Sequence, residues 1–546
     1  MIRRSITLLV PGLLLLALAV TLQWAAGAYR AEFDDSDEAA HYVTGLMVRD
    51  YIASFDFSHP IRYAENYYLH YPKVGLGHWP PVFYLVQSAW TLVFPPSRAS
   101  ILLLMALLAA LAALAIYDVA RKEFSAAAGI ALACLFIALP LVQSNTSRVM
   151  ADILLALLVF VSIIAFGRYL DTERLRYSLL FGVMAALAIL TKGTALALIP
   201  VPLLAVVLSR RFYLLARPAT WLPVAIVAAL CGPWYLMLPR VVGYRPERML
   251  GLGKNFTPIS QQSWQVLALL GSAMLIVAAI GFAERASTII CGSPPARGIW
   301  AASLALVPSL IGFRLLLGVA SPDRHLLVMV PVLLLFLAAG LAWLGARLPA
   351  SFLKPHQRIV TLAAALAVAF FLETFYVPRK HPSGFAPVAA PLMSKPELAQ
   401  AAFLVSSEAG AEGPFIAEVA MREKRPGHYV LRSSKVLARV SWSGNFVYRL
   451  LLTNTEEVMA YLERIPVGVV IIDTAPGPYM RPHHRLLQEA VRIQPGWELI
   501  GSYPRYVEGR DTGHRILVYR RAGVQGRPTG EIRIDMTRRL GRVIGH

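Results

Sequence analysis

The sequence predicts a polytopic α-helical membrane protein with a small soluble α/β domain at its C-terminal end. Of its 546 residues, 57% are hydrophobic and only 15% are charged, a balance that soluble globular domains do not have. Apolar runs long enough to cross a bilayer recur between residues 6 and 377. Beyond Pro378 the apolar runs become shorter and charged residues become more frequent, which indicates a separate soluble region.

Eleven apolar segments are candidate membrane spans, and we expect about 11–13 transmembrane helices in all. The tract 80–96 is also apolar, but it is short and bracketed by proline pairs. If it were a span, several basic loops would face the side opposite Arg3 and Arg4, so the positive-inside rule favours a re-entrant or surface helix there. The candidate spans are 5–26, 99–117, 125–142, 149–167, 177–191, 194–209, 219–239, 263–283, 299–319, 325–346 and 359–377.

The basic character of the chain is explained by its membrane topology. A formal net charge of +20 would indicate nucleic-acid binding in a soluble protein. Here much of the lysine and arginine lies in short loops between apolar runs, as on a cytoplasmic face, so no nucleic-acid partner is predicted. The three cysteines, Cys134, Cys231 and Cys291, show neither metal-ligand spacing nor a disulfide framework and are assigned to packing.

The odd number of spans places the first loop, residues 29–98, and the C-terminal region on the outer side. We expect residues 1–378 to form the membrane domain and residues 379–546 a small α/β domain of ordinary size. Its expected strands and helices follow the local hydrophobic patterns. The expected strands are 415–417, 467–472 and 516–519, and the expected helices are 456–463 and 485–492.

Four carboxylates fall within five positions directly after the first span: Asp34, Asp35, Asp37 and Glu38. One interpretation is a solvated loop that caps a helix starting near Glu38, since aspartate suits a helix N-terminus. A cap needs only one acid, however. On that helix His41 would share a face with Asp37 and Glu38, and a carboxylate there could act as a general base on a hydroxyl group.

A second stretch, residues 67–84, is rich in aromatic residues and also contains His70, Lys73 and His78. Aromatic residues near a membrane surface commonly form an interface belt. Cations beside aromatic planes also suit a lipid phosphate that carries a sugar. The sequence leaves both interpretations open.

Three isolated cations lie at predicted span ends. Arg148 could pair with Asp152 on one helix face, Lys192 could extend its ammonium group to the membrane surface, and Arg324 could pair with the adjacent Asp323. Alternatively, the three cations together could hold an anionic group such as a phosphate.

Four motifs follow one another along the chain: Asp37-Glu38-x-x-His41-Tyr42, His78-Trp79-Pro80-Pro81-Val82-Phe83-Tyr84, Leu190-Thr191-Lys192-Gly193 and Arg324-His325. In this order they resemble the motifs of the GT-C glycosyltransferases. Within that group the sequence looks like the branch of the dolichyl-phosphate-mannose protein mannosyltransferases and the ArnT-like lipid A aminoarabinose transferases, over roughly residues 5–380. His41 stands where arginine is common and His78 where lysine commonly precedes Pro-Pro, a charge that Lys73 could supply. No Trp-Trp-Asp motif of oligosaccharyltransferases is present.

The resemblance implies a hexosyl- or pentosyltransferase that moves a monosaccharide from a polyprenyl-phosphate donor to the hydroxyl group of a lipid, protein or polysaccharide. It implies that Asp37 is the base, with Asp34 and Asp35 as the alternatives, that Glu38 is its catalytic neighbour, and that Lys192 and Arg324 lie near the carrier phosphate. No cofactor is predicted, although four acids could hold a divalent cation. The expected location is a bacterial inner membrane, with the site and the C-terminal domain outside. The remaining predicted substrate-binding residues are Asp34, Asp35, His41, Lys73, His78, Arg148 and His325.

Two other classes of function compete with this hypothesis. A transporter or flippase of lipid-linked sugars would also have many spans, but it favours broken helices and charges near the middle of the membrane. Here the notable charges lie at span ends and the large polar segments are external, which favours an enzyme. A non-catalytic assembly protein acting through residues 379–546 is the third class.

Overall fold

A computed structural model describes most of the chain. The described residues are 2–242, 259–292, 297–317, 323–347, 354–408, 411–440, 448–474, 481–507, 509–524, 532–536 and 542–545.

The N-terminal two thirds of the chain is helical. Three short 3₁₀ helices, Gly193–Leu198, Phe212–Ala216 and Asp323–Val328, connect some of the helices. The α-helices are α1 (Ile2–Ala25), α2 (Ser36–Ser54), α3 (Pro60–His70), α4 (Val82–Val93), α5 (Arg98–Glu123), α6 (Ala126–Ala138), α7 (Pro140–Thr146), α8 (Asp152–Thr172), α9 (Leu175–Ile189), α10 (Val201–Leu208), α11 (Pro218–Val242), α12 (Ile259–Leu270), α13 (Ser272–Cys291), α14 (Gly298–Leu317), α15 (Val330–Arg347) and α16 (Pro355–Glu373).

Within the described residues, seven helices are long and apolar enough to cross a membrane. Helices α6 and α7 pass the same test as a pair bent by 63° and would make an eighth. Shorter apolar helices lie at Val82–Val93, Leu175–Ile189 and Gly193–Leu208. Each of the eleven predicted spans overlaps a helix, and the polytopic fold class is confirmed. The seven are Leu8–Ala25, Arg98–Glu123, Asp152–Thr172, Pro218–Met237, Ser272–Cys291, Gly298–Leu315 and Val330–Arg347.

Local sequence explains where several of these helices begin and bend. Ser97 caps α5 by accepting a hydrogen bond from the Ser100 amide at 3.3 Å. Ser125 caps α6 in the same way. Pro140 has no amide proton to continue α6, so the chain turns there and starts α7. The bend brings Arg148, just after α7, beside the start of α2.

Helices α13 and α15 pack closely against each other through glycines. A Cβ atom on Gly281 would overlap the carbonyl oxygen of Phe336, and one on Gly340 would overlap that of Val277. The two backbones are therefore in direct contact. Small residues allow this approach in membrane bundles, where dispersion contacts rather than the hydrophobic effect hold helices together.

The C-terminal region is an α/β domain, as predicted. Its main sheet has five strands in the order β2 (Val430–Arg432), β1 (Ala402–Ser406), β5 (Val467–Asp473), β7 (Arg510–Arg521) and β6 (Trp497–Val507). Strands β1, β2 and β5 are parallel, and β7 is antiparallel to both of its neighbours. The elements are α17 (Ala386–Met393), β1 (Ala402–Ser406), α18 (Glu412–Arg422), β2 (Val430–Arg432), α19 (Ser433–Val436), β3 (Ala438–Val440), β4 (Tyr448–Leu450), α20 (Thr455–Arg464), β5 (Val467–Asp473), α21 (Pro482–Ile493), β6 (Trp497–Val507), β7 (Arg510–Arg521), β8 (Arg533–Asp535) and β9 (Val543–Gly545).

One predicted strand was wrong. Residues 415–417 lie inside α18, where Phe415 and Val419 are buried one helical turn apart. A short apolar run has the same appearance in a buried helix and in a buried strand, so periodicity alone could not separate them. The strands expected at 467–472 and 516–519 and the helices expected at 456–463 and 485–492 are confirmed. The division of domains at residue 378 stays a prediction.

The α/β domain packs on the helices of the first loop. Arg425 donates to Asp50 of α2 at 2.8 Å, and Tyr71, directly after α3, donates to Glu423. Arg98, at the start of α5, pairs with Glu418 at 2.8 Å. The first loop and the C-terminal domain therefore lie on the same side of the helical bundle.

Candidate active site

The four acids after the first span have different partners. Asp35 is the N-cap of α2, since its Oδ1 accepts hydrogen bonds from the amides of Asp37 at 2.7 Å and Glu38 at 3.1 Å. The capping interpretation therefore applies to Asp35. The other three carboxylates are left to contact cations from distant parts of the chain.

Asp37 forms an ion pair with Arg324, which lies 287 positions later in the sequence. The distance from Arg324 Nη2 to Asp37 Oδ2 is 2.5 Å. The partner of Arg324 is thus Asp37 and not its neighbour Asp323. Burial by itself would raise the pKa of Asp37, but the charge of Arg324 and its hydrogen bond hold that pKa below its usual value.

Lys192 and Arg324 belong to one row of alternating charges. Lys192 Nζ contacts Asp152 Oδ1 at 2.7 Å, so the lysine is held by a carboxylate instead of extending toward lipid. The Oδ2 atom of Asp152 and the Nε atom of Arg324 are both buried without a hydrogen-bond partner. The charge of Asp152 also acts on Arg324. The order of charges is Asp37, Arg324, Asp152 and Lys192.

Arg148 forms a two-point contact with Asp34. Arg148 Nε lies 2.9 Å from Oδ1 and Nη2 lies 2.7 Å from Oδ2 of Asp34. Such a fork is a strong and directional form of ion pair. The pairing with Asp152 that helical spacing suggested is therefore wrong. Burial opposes ionisation of Asp34, but Arg148 and Lys380 hold its pKa below the usual value.

Glu38 is fully buried and pairs with Lys380, whose side chain is 1% exposed. Glu38 also accepts from the amides of Asp34 and Val149, each at 3.3 Å. Burial raises the pKa of Glu38 to about 7 against the opposing charge of Lys380. A carboxylate enclosed in this way is shielded from a substrate.

Sequence reasoning missed both Lys380 and Glu32. Glu32 accepts from Ser383 Oγ at 2.7 Å and from the amides of Gly384, Phe385 and Ala386 at 2.8–2.9 Å. The available signal was their position: Glu32 precedes the acidic stretch, and Lys380 follows the last predicted span. Neither belongs to a motif.

The aromatic stretch also packs against the start of α2. His41 Nδ1 lies 2.9 Å from the Tyr84 hydroxyl, and its ring packs on Trp79. Burial lowers the pKa of His41 to about 3, so its ring is neutral at pH 7. Tyr67, Tyr68, Tyr71 and Tyr84 are buried in the protein, which does not fit an interface belt facing lipid.

Lys73 and His78 lie at the edge of the same cluster. Lys73 Nζ donates to Ser36 Oγ at 2.6 Å, and burial lowers the pKa of Lys73 to about 7. His78 is exposed and packs against the edge of Trp79. The charges of Lys192 and Arg324 both act on His325.

The structure thus brings the predicted site residues together around the first turn of α2. Asp37 and Arg324 are in contact, and Lys192 lies one ion pair further on. In the described part of the chain, no three His, Cys, Asp or Glu side chains are grouped to hold a metal ion. The carboxylates of Asp34, Asp37 and Glu38 instead face three different cations.

Comparisons with known proteins place this arrangement in a fold class. Residues 78–236 match the family model described as dolichyl-phosphate-mannose-protein mannosyltransferase. No curated protein matched the sequence. ArnT from Cupriavidus metallidurans bound to undecaprenyl phosphate superposes with a TM-score of 0.60 at 14% identity, covering 94% of this chain and 98% of that chain.

Two further solved structures agree. ArnT from the same organism in the apo state has a TM-score of 0.58 at 14% identity, with the same coverage of 94% and 98%. The archaeal oligosaccharyltransferase AglB from Archaeoglobus fulgidus, in complex with an inhibitory peptide and a dolichol-phosphate, has a TM-score of 0.54 at 13% identity. It covers 86% of this chain and 70% of that chain.

The chain is therefore a polytopic membrane protein with the GT-C glycosyltransferase fold and a C-terminal α/β domain. Within that class, the similarity to ArnT over nearly the full length and the matched mannosyltransferase model confirm the predicted resemblance to the protein mannosyltransferase and ArnT-like branch.

Proposed function

We propose that this protein transfers a monosaccharide from a polyprenyl-phosphate donor to an acceptor hydroxyl group, with Asp37 as the general base. The observation that carries the proposal is the contact between Asp37 and Arg324, with the Asp152–Lys192 pair behind it. A candidate base and two candidate phosphate-binding cations thus meet at one point. The site and the C-terminal domain would lie on the extracytoplasmic face of a bacterial inner membrane.

The proposed reaction is a single displacement. Asp37 takes the proton of the acceptor hydroxyl group while the hydroxyl oxygen forms a bond to the anomeric carbon of the sugar. The bond from that carbon to the phosphate oxygen breaks, and the electron pair leaves with the polyprenyl phosphate. Attack from the face opposite the leaving group inverts the anomeric centre.

Arg324 and Lys192 would stabilise the negative charge that grows on the leaving phosphate. A guanidinium fork matches phosphate geometry, and a well-placed preorganised donor contributes on the order of 3 kcal/mol to the transition state. Both cations are held by carboxylates in the free protein, Arg324 by Asp37 and Lys192 by Asp152. The donor phosphate would therefore compete with these acids for the same cations.

This competition would make Asp37 a better base when the donor is bound. A carboxylate whose pKa is held down by an arginine accepts a proton poorly. Once the phosphate occupies Arg324, the pKa of Asp37 rises and its oxygens are free to face the acceptor. The ion pair in the free protein is thus the resting form of the site.

A transfer assay with purified protein in lipid nanodiscs tests the proposal. Polyprenyl-phosphate hexose and pentose donors are offered with lipid, protein and polysaccharide acceptors. The wild-type chain should release polyprenyl phosphate, and Asp37→Asn should do so at least about 100-fold more slowly. Asp56→Asn is the matched control, because Asp56 lies on the same loop but is exposed, and its carboxylate accepts hydrogen bonds from the neighbouring Ser58.

Two results would contradict the proposal. Wild-type turnover by Asp37→Asn would remove Asp37 as the base. Movement of the lipid-linked sugar across vesicles without transfer would support the competing flippase class.

A further inference from the structure

The segment that follows the last helix of the membrane domain is fastened at three points to residues 26–38, which run from the end of α1 into the first turn of α2. The Lys380 amide donates to the Ala26 carbonyl at 2.8 Å. The Lys380 side chain pairs with Glu38. The amides at the start of α17 donate to Glu32. Residues 380–386 therefore hold both ends of the stretch that carries the acidic residues.

The Glu38–Lys380 pair is the most enclosed of these contacts. The side chains are 0% and 1% exposed, and the ammonium group also lies near the Phe33 ring. Removing one member of a buried pair leaves an uncompensated charge in a low-dielectric environment, which is strongly unfavourable. The pair therefore stays closed as long as the surrounding structure is intact.

Closing this pair fixes the direction of Asp37. Consecutive residues of an α-helix are rotated by about 100° around the helix axis. Because Glu38 directly follows Asp37 in the first turn of α2, anchoring Glu38 sets the rotation of that turn and thus the direction of the Asp37 side chain. The hydrogen bonds from the amides of Asp37 and Glu38 to the Asp35 side chain also hold the start of this turn in place.

We propose that Lys380 is a positioning residue that orients Asp37 by holding Glu38. The inference rests on the proposed glycosyl transfer, and it gives Glu38 a positioning role in place of direct chemistry. It also makes the activity of the site depend on the segment that leads into the C-terminal domain. Neither Arg324 nor Lys192 contacts the Glu38–Lys380 pair, so the donor phosphate site should be independent of it.

Steady-state kinetics with Glu38→Gln, Lys380→Met and the double variant test the inference. Each single substitution should lower kcat at least tenfold while the Kd for polyprenyl phosphate stays within twofold of wild type. The double variant removes both buried charges, so its thermal stability should return toward wild type, but its kcat should stay low because Asp37 is still not oriented. Lys424→Met, an exposed lysine of the same domain, is the control.

The outcomes separate this inference from the proposed function. A double variant with wild-type kcat would overturn the positioning role, and so would a parallel loss of kcat and donor binding in every variant. If a single variant fails to fold, the double variant decides. Wild-type protein that neither binds polyprenyl phosphate nor transfers sugar would overturn both proposals together.

Discussion

Replacing Asp37 by asparagine should abolish transfer and at the same time strengthen binding of polyprenyl phosphate. In the free protein Arg324 is occupied by Asp37 at 2.5 Å. Asparagine keeps the size of the side chain but removes the charge, so Arg324 becomes available to the phosphate. If Asp37 were instead needed for donor binding, Asp37→Asn would weaken the binding of polyprenyl phosphate.

The magnitude follows from the environment of the pair. The side chains of Arg324 and Asp37 are 25% and 20% exposed. A fully exposed ion pair contributes about 0.2–1 kcal/mol, and a hydrogen bond to a charged group contributes about 1.5–3 kcal/mol. An intermediate value of about 1–2 kcal/mol corresponds to a roughly 5- to 30-fold lower Kd, since about 1.4 kcal/mol is a factor of ten.

Titration calorimetry of purified protein with a short-chain polyprenyl phosphate measures this change. The effect must pass through Arg324, so Asp37→Asn should give much less gain in an Arg324→Met background, where only the repulsion between Asp37 and the phosphate is relieved. Unchanged or weaker binding by Asp37→Asn in the wild-type background would refute the competition between Asp37 and the phosphate.

The pH dependence gives a second measure of the same exchange. Activity should rise with pH as Asp37 loses its proton. The acid limb of kcat/KM reports the free enzyme, where Arg324 holds the pKa of Asp37 low. The acid limb of kcat reports the donor complex and should lie at higher pH. Coincident limbs would show that the donor does not take Arg324 from Asp37.

Three predictions concern stability. Lys73 has a pKa of about 7 in the folded protein, against 10.5 for an ordinary lysine. Between these two pH values the unfolded chain binds more protons than the folded protein, so the free energy of unfolding should rise with pH by at most about 1.4 kcal/mol per pH unit. Thermal melts at several pH values should show this rise in the wild type and a smaller rise in Lys73→Met. Arg425→Met removes one of the two arginines that contact Asp50 and leaves Arg49 as its partner, so it should cost about 1.5–3 kcal/mol, seen as faster proteolysis of the C-terminal domain, whereas the exposed Arg492→Met should have little effect. Gly340→Ala forces α13 and α15 apart and should lower the Tm sharply. At Gly312 a Cβ atom meets open space, so Gly312→Ala should leave the Tm unchanged or raise it slightly. Equal shifts of the Tm in the two variants would argue against the direct backbone contact between α13 and α15.

The helical membrane domain followed from the sequence because long apolar runs have few alternatives in a bilayer, where every backbone polar group must be paired within the segment. The acidic stretch after the first span was also visible, since its charge density exceeds what a helix cap needs. The strand expected at 415–417 failed because three apolar residues carry too little periodicity to define a secondary structure.

Charge pairing was decided by the tertiary structure. Sequence spacing suggested that Arg148 pairs with Asp152 and Arg324 with Asp323, because local neighbours are the only partners that a sequence shows. The fold instead joins residues 114 and 287 positions apart. The sequence shows that Lys380 follows the last predicted span, but it does not show its partner Glu38, which lies 342 positions away.

The sequence by itself determined the class of the protein, its membrane helices, the α/β character of its end and most of the side chains at the candidate site. The tertiary structure decided which acid meets which cation, and so separated Asp35, a helix cap, from Asp37, which faces Arg324, and from Glu38, which is buried against Lys380. The physical reason is the separation along the chain over which each interaction acts. Hydrophobic periodicity and helix capping involve residues that are only a few positions apart. Ion pairs depend on distance in space, which is set only when the whole bundle and its C-terminal domain have packed.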